Sequence, residues 1–355
     1  MNKKLVGLGL AAVAAVSLAA CGNRASKSSS SEASSSADTS VKAAIVTDIG
    51  GVDDRSFNQS AWEGLQEWGN AAGLSKGNGY DYFQSANESE YITNLDSAVA
   101  GGYNLVFGIG FALESAIAEV APNNPDTHYV IVDSVVPDQD NVVSVGFADH
   151  EASYLAGVAA AKSTKTDHVG FIGGMEGVII DRFEAGFVAG AKSVNKDIKI
   201  TVDYAGSFGD AAKGQTLAAA QYAAGADVIF HASGGTGNGV FAAAKAENET
   251  RNEADKVWVI GVDRDQSAEG EYTSKDGKSS NFVLASTLKQ VGTSVKDIAT
   301  KAVAGEFPGG QVLQFSLKDK GVELAETNLS EDASKAVADA KQAILDGKVE
   351  VPEKP

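Results

Sequence analysis

From Val41 onward, short β-branched runs alternate with stretches whose apolar residues recur every three or four positions. The first kind predicts strands at 41–47, 80–85, 105–108, 129–132 and 142–145, then at 168–172, 198–203, 228–231 and 257–261, and finally at 282–286 and 312–316. The second kind predicts helices at 58–72, 89–100, 111–120, 151–162, 181–193, 211–224, 240–246, 291–304 and 331–346. In the first helix Trp62, Leu65 and Trp68 fall on one face. In the second, Tyr91, Ile92, Leu95 and Val99 do. Alternation of this kind is the signature of an α/β protein with parallel sheets covered by helices. Roughly 315 residues exceed what one core usually holds, so two lobes are expected. A (β/α)₈ barrel is compatible with the same periodicity and stays open.

The first 40 residues break the pattern. A basic start, Met1-Asn2-Lys3-Lys4, leads into an apolar run that closes on Leu18-Ala19-Ala20-Cys21. This is a secretory signal, residues 1–20, and its apolar run falls short of the roughly 20 residues that a membrane span needs. Cys21 is the only cysteine, and its place resembles a bacterial lipobox. The resemblance implies cleavage before Cys21 and a lipid, palmitate included, on the new terminus. The protein would then be tethered to the extracytoplasmic face of the cell membrane, without a transmembrane helix. Residues 21–40 then form the lipidated cysteine and a Ser/Ala-rich spacer, too poor in apolar surface to order itself. Its end-to-end reach is about 25 Å.

Charge narrows the partners. The formal net charge is −18, and removal of Lys3 and Lys4 makes it more acidic. Such a body repels polyanions, so no nucleic-acid partner is expected.

In open α/β sheets, ligands bind beyond the carboxyl ends of the strands. Asp48, Asp133 and Asp263 each follow a predicted strand there. A carboxylate can accept two hydrogen bonds and so suits a vicinal diol; an aspartate after a strand is equally a helix cap or turn former. Gly234-Gly235-Thr236-Gly237-Asn238-Gly239 lies between a strand and a helix, where a ligand could approach the backbone. It is no dinucleotide fingerprint, because Val240 stands where G-x-G-x-x-G needs its last glycine. Phe57 and Phe208 sit in polar, turn-like settings, as stacking residues or as plugs over a core. His128, His150, His168 and His231 lack metal-site spacing, and no nucleophile elbow occurs. No metal, cofactor or catalytic residue is expected.

Together, the lipobox, Asp48-Ile49-Gly50-Gly51-Val52-Asp53-Asp54-Arg55-Ser56-Phe57-Asn58-Gln59, Gly234-Gly235-Thr236-Gly237 and Gly261-Val262-Asp263 resemble the basic membrane lipoprotein, or purine nucleoside receptor A, family. The resemblance implies an ABC-importer substrate-binding lipoprotein, not an enzyme, with the type I periplasmic-binding-protein fold. In that fold two Rossmann-like lobes are joined by three crossovers. It places lobe 1 at 41–146 plus 264–309 and lobe 2 at 147–263 plus 310–355. The implied ligands are purine nucleosides such as guanosine, adenosine and inosine, with pyrimidine nucleosides left open. The implied partners are a permease and its ATPase subunit, met by a monomeric receptor. Carried onto this chain, Asp48, Asn58 and Asp133 contact the ligand from lobe 1, and Phe57 and Phe208 sandwich the base. Gly235 allows close backbone approach, while Asp263 and Lys289 hold the ribose hydroxyls. On its own, Lys289 reads as the solvated first turn of a helix.

Two alternatives compete. One keeps the fold and binds a sugar or a ribose-like signal. The other is a calcium-dependent nucleoside hydrolase, whose loop D-x-D-P-G-x-D-D finds Val46 at its first aspartate, Ile49 at its proline and one extra residue before Asp53-Asp54. A calcium shell of six or more oxygens would lose its first ligand.

Overall fold

The computed structural model describes residues 40–355, which belong to one compact unit running Ser36–Pro355. Cys21, the signal and nearly all of the spacer lie outside the described residues.

The chain builds one sheet, then a second, and returns to each once. β1 (Ala43–Thr47), β2 (Ser75–Lys76), β3 (Gly79–Phe83), β4 (Leu105–Ile109), β5 (His128–Val132) and β6 (Val142–Phe147) come first. Between them lie the helices α1 (Phe57–Ala71), α2 (Tyr91–Ala100) and α3 (Glu114–Val120). Helix α4 (Asp149–Ser163) carries the chain into β7 (His168–Gly173), α5 (Val178–Val194), β8 (Lys199–Tyr204), α6 (Ala211–Ala223), β9 (Val228–Ala232), α7 (Gly237–Glu249) and β10 (Trp258–Gly261). A small hairpin, β11 (Glu271–Thr273) with β12 (Ser279–Asn281), precedes β13 (Val283–Lys289). The chain closes with α8 (Val291–Val303), β14 (Val312–Phe315), β15 (Val322–Glu326) and α9 (Glu331–Leu345).

The first sheet has the order β14-β6-β5-β4-β1-β3-β2, and all its strand pairs are parallel. The second has the order β15-β13-β10-β9-β7-β8, parallel except where β15 pairs with β13. Every residue of β1, β4 and β9 is buried, as expected of strands covered on both faces. Two open sheets exclude the barrel. The chain passes between lobes three times: between β6 and α4, between β13 and α8, and between β14 and β15.

The lobe boundaries expected at 264–309 and 310–355 need correction. β13 pairs in parallel with β10, Val259 opposite Val283, so residues 264–289 stay with lobe 2. The chain returns to lobe 1 only for α8 and β14. Helix α8 seats Gly292 against Gly64 of α1, where backbone meets backbone, and β14 extends the first sheet beside β6. Lobe 1 therefore ends with β14, and β15 and α9 belong to lobe 2.

Candidate functional site

The strand order reverses at β1/β4 in lobe 1 and at β7/β9 in lobe 2, which leaves a crevice beyond the strand ends of each sheet. The two crevices face each other across a cavity lined from both lobes. Asp48 leaves β1, Gly110 leaves β4 and Asp133 leaves β5. From lobe 2, Ser233 and Gly234 follow β9, Asp263 follows β10 and Lys289 ends β13. Four phenyl rings join them: Phe57 and Phe111 from lobe 1, Phe183 and Phe208 from lobe 2. The loop carrying Phe208 is pinned by Thr236, whose N–H donates to the Phe208 carbonyl (3.0 Å) and whose hydroxyl donates to the Ser207 carbonyl (2.8 Å).

Helix α1 begins without a side-chain bond from Ser56 at its N-cap. Asp54 does that work: its carboxylate accepts the N–H groups of Ser56 (2.8 Å), Asn58 (2.9 Å) and Gln59 (3.0 Å). A carboxylate at a helix N-terminus satisfies free N–H groups and complements the helix dipole. The result fixes Phe57 and Asn58 at the cavity wall. The Asn58 amide donates to Asp48 (2.8 Å) and Asp54 (3.0 Å), while its buried oxygen has no partner. Asp48 uses one oxygen for Gly50 N–H and Asn58, both at 2.8 Å. Its other oxygen lies beside Gly110.

On the far side, Lys289 is buried, with 4% of its surface exposed, which rules out the solvated helix turn. Its ammonium bonds Asp133 Oδ2 (2.6 Å) and lies 3.1 Å from Asp149 Oδ1. Asp149 has no other donor within reach among the described residues, so Lys289 is its one partner. Asp133 Oδ1 is also unpartnered. The ammonium further sits 5.2 Å from the Phe57 ring centre and 5.6 Å from that of Phe183. Asp263 receives the Ser56 hydroxyl from the other lobe. Asp133 and Asp263 both have φ of 67°, a left-handed conformation that non-glycine residues adopt at a cost. Such outliers gather at functional sites.

Burial dominates the electrostatics. It pushes Asp48 up to about 6, against the pull of the Gly50 and Asn58 bonds. It pushes Asp263 up to about 7, against Lys289 and Ser56, and raises Asp149 and Asp54 as well. Burial alone would lower Lys289, but Asp133, Asp149 and Asp263 more than reverse it and keep the ammonium charged. The cavity therefore offers flat apolar walls, several acceptor oxygens with spare lone pairs, and one cation already paired.

Seven of the eight residues singled out in sequence line this cavity: Asp48, Phe57, Asn58, Asp133, Phe208, Asp263 and Lys289. Gly235 does not; Gly234 takes that place. A Cβ on Gly235 would lie 3.2 Å from the Phe208 carbonyl, a tight approach, and 3.6 Å from Asp54 Cβ across the lobes, an ordinary contact. Sequence reasoning missed Asp54, Phe111, Asp149, Phe183 and Ile179. Asp54 had a signal, since it stands two residues before Ser56 at a helix start. Phe111 and Phe183 had none that distinguishes them from core.

Two lobes with parallel sheets, three crossovers and a polar-floored aromatic cavity between strand ends define a solute-binding protein of the type I periplasmic-binding-protein fold. A solute-binding protein from Aeropyrum pernix K1 superposes with a TM-score of 0.76 at 24% identity, over 88% of this chain and 94% of that one. Residues 41–355 match the family model described as ABC transporter substrate-binding protein PnrA-like, and the chain belongs to that family. It is 57% identical to the ABC transporter nucleoside-binding protein BmpA of Lactococcus lactis subsp. cremoris (strain MG1363), over the whole of both chains. It is 51% identical to the CD4+ T-cell-stimulating antigen of Listeria monocytogenes serovar 1/2a (strain ATCC BAA-679 / EGD-e), again over both full lengths.

Proposed function

We propose that the protein captures nucleosides, purine nucleosides such as adenosine, guanosine and inosine foremost, and hands them to an ABC permease driven by its ATPase subunit. The observation that carries this reading is that phenyl rings from both lobes line one cavity with strand-end carboxylates. Phe57 and Phe208 stand in different lobes and both line one cavity with Asp48, Asp133 and Asp263. A planar base would stack between the rings, while a ribose diol would donate to carboxylate oxygens that have spare lone pairs. The name of the Lactococcus relative supports the ligand class. On this reading the protein works outside the cell, anchored through a lipid on Cys21, with the spacer giving the receptor reach.

Ring and diol are tested together by titrating adenosine against its 2′-deoxy and 3′-deoxy forms. Loss of either hydroxyl leaves a buried carboxylate unpaired and weakens binding about a hundredfold. Equal affinity for all three would overturn the diol reading. Anchoring is tested separately. Cys21→Ala should abolish incorporation of labelled palmitate and release the protein to the medium, and unchanged labelling would contradict it.

A further inference from the structure

At the edge of the cavity one turn of lobe 1, residues 54–56, enters a slot between two strand-end loops of lobe 2, beside the Arg264–Glu63 ion pair that also joins the lobes. The Arg55 carbonyl accepts from Gln266 Nε2 (2.9 Å), and the Asp54 carbonyl accepts from Asn238 Nδ2 (3.3 Å). The Ser56 hydroxyl reaches Asp263, and the Arg55 side chain pairs with Glu269. Arg55 holds φ at 60°, left-handed for a residue that has a side chain.

Gln266 is 3% exposed and spends every polar atom. Its N–H donates to Ser286 Oγ (3.1 Å), and its side-chain oxygen accepts Val262 N–H (2.8 Å) and faces His231 Nε2 (3.1 Å). With the oxygen so engaged, the amide nitrogen is left for the other lobe. Burial pushes His231 down to about 4, so the ring is neutral. Carrying its proton on Nε2, it presents Nδ1 to the Ser233 hydroxyl (3.3 Å), and Ser233 lines the cavity. A buried chain thus runs from the cavity wall through Ser233, His231 and Gln266 to a carbonyl of the opposite lobe.

We infer that Gln266, assisted by Asn238, is a positioning residue that latches the two lobes and sets how fast a bound solute leaves. The inference rests on the reading that the cleft holds a solute. Neither residue lines the cavity, so their loss acts on closure and not on contact with the ligand. A hydrogen bond made only when the lobes meet slows dissociation and leaves the encounter unchanged.

The test uses the compact unit Ser36–Pro355, in wild-type, Gln266→Leu and Asn238→Ala forms. Stopped-flow should show adenosine leaving Gln266→Leu about tenfold faster, and Asn238→Ala severalfold faster, with association rates within about twofold of wild type. Small-angle scattering of the unliganded variants should show a larger radius of gyration than wild type. Unchanged release and unchanged scattering would overturn the latch, as would a loss of affinity carried by association. Should Gln266→Leu fail to fold by circular dichroism, Asn238→Ala decides alone, since it is a half-buried seam residue. If wild type binds no nucleoside, the reading of the cleft fails. The scattering comparison still decides the latch.

Discussion

Asp263 lines the cavity from lobe 2 and takes the Ser56 hydroxyl of lobe 1. Asp263→Ala should therefore weaken nucleoside binding at least about a hundredfold, because a charge-assisted bond and a lobe contact go together. Asp53→Ala, nearby but exposed, should change it less than about twofold. Calorimetric titration of the two variants checks the contrast, and equal losses would contradict it. The same residue predicts a pH profile. Its carboxyl sits at about 7 and that of Asp48 at about 6, so affinity should be full above about pH 8 and fall as pH drops through both values. Asp263→Asn should remove the upper step. Stability runs the opposite way. A carboxyl raised from 3.8 to about 7 takes up its proton in the folded state first, so its favourable contribution is present at low pH and lost as pH rises through 7. Asp263→Asn should raise Tm at about pH 8, and the gain should shrink toward pH 5. At this scale the sequence was legible where chemistry and position coincide, as in an aspartate ending a strand. It was mute on Phe111 and Phe183, because a cleft phenylalanine and a core phenylalanine look alike until the backbone aims them.

Helices α4 and α5 pack by glycines. A Cβ on Gly157 would overlap the Phe187 carbonyl, one on Gly186 that of His150, and one on Gly190 that of Tyr154. Each is a contact with backbone, which cannot turn aside as a side chain can. Gly190→Ala should destabilise the protein by about 2 kcal/mol or more, read from urea unfolding, although alanine is the better helix former. A stability at or above that of wild type would show the pair free to separate. Most elements were legible because strand and helix periods differ so clearly. The misses have causes. Helix α5 begins three residues before the expected 181, over Val178-Ile179-Ile180, where β-branched residues argue against helix and tertiary packing overrules them. β15 escaped because it is a short edge strand with charged positions, Val322-Glu323-Leu324-Ala325-Glu326. The β11–β12 hairpin has three residues a side, too few for a period to register.

At the level of the whole molecule, the two-lobed division was legible from two successive βα series, but the places where the chain changes lobe were not. Nothing local in residues 264–289 says which sheet β13 joins; pairing with β10 is a long-range choice. Nor does anything local to Gly235 say that Asp54 of the other lobe lies beside it. Lobe contact can itself be probed there. Gly235→Leu, pressing on the Phe208 carbonyl and reaching toward Asp54, should weaken binding about tenfold or more; unchanged affinity by titration would show that the seam bears no load.

The central claim is that one cleft reads a ring and a diol together. Isothermal titration of the chain from Ser40, unfolded and refolded to strip any carried-over solute, tests it most directly, with adenosine, guanosine, cytidine, free ribose and free adenine injected in turn. The account predicts tight binding of the nucleosides and weak binding of both halves. Heat from ribose with silence from every nucleoside would contradict it, and would make Phe57 and Phe208 mere walls of a sugar site.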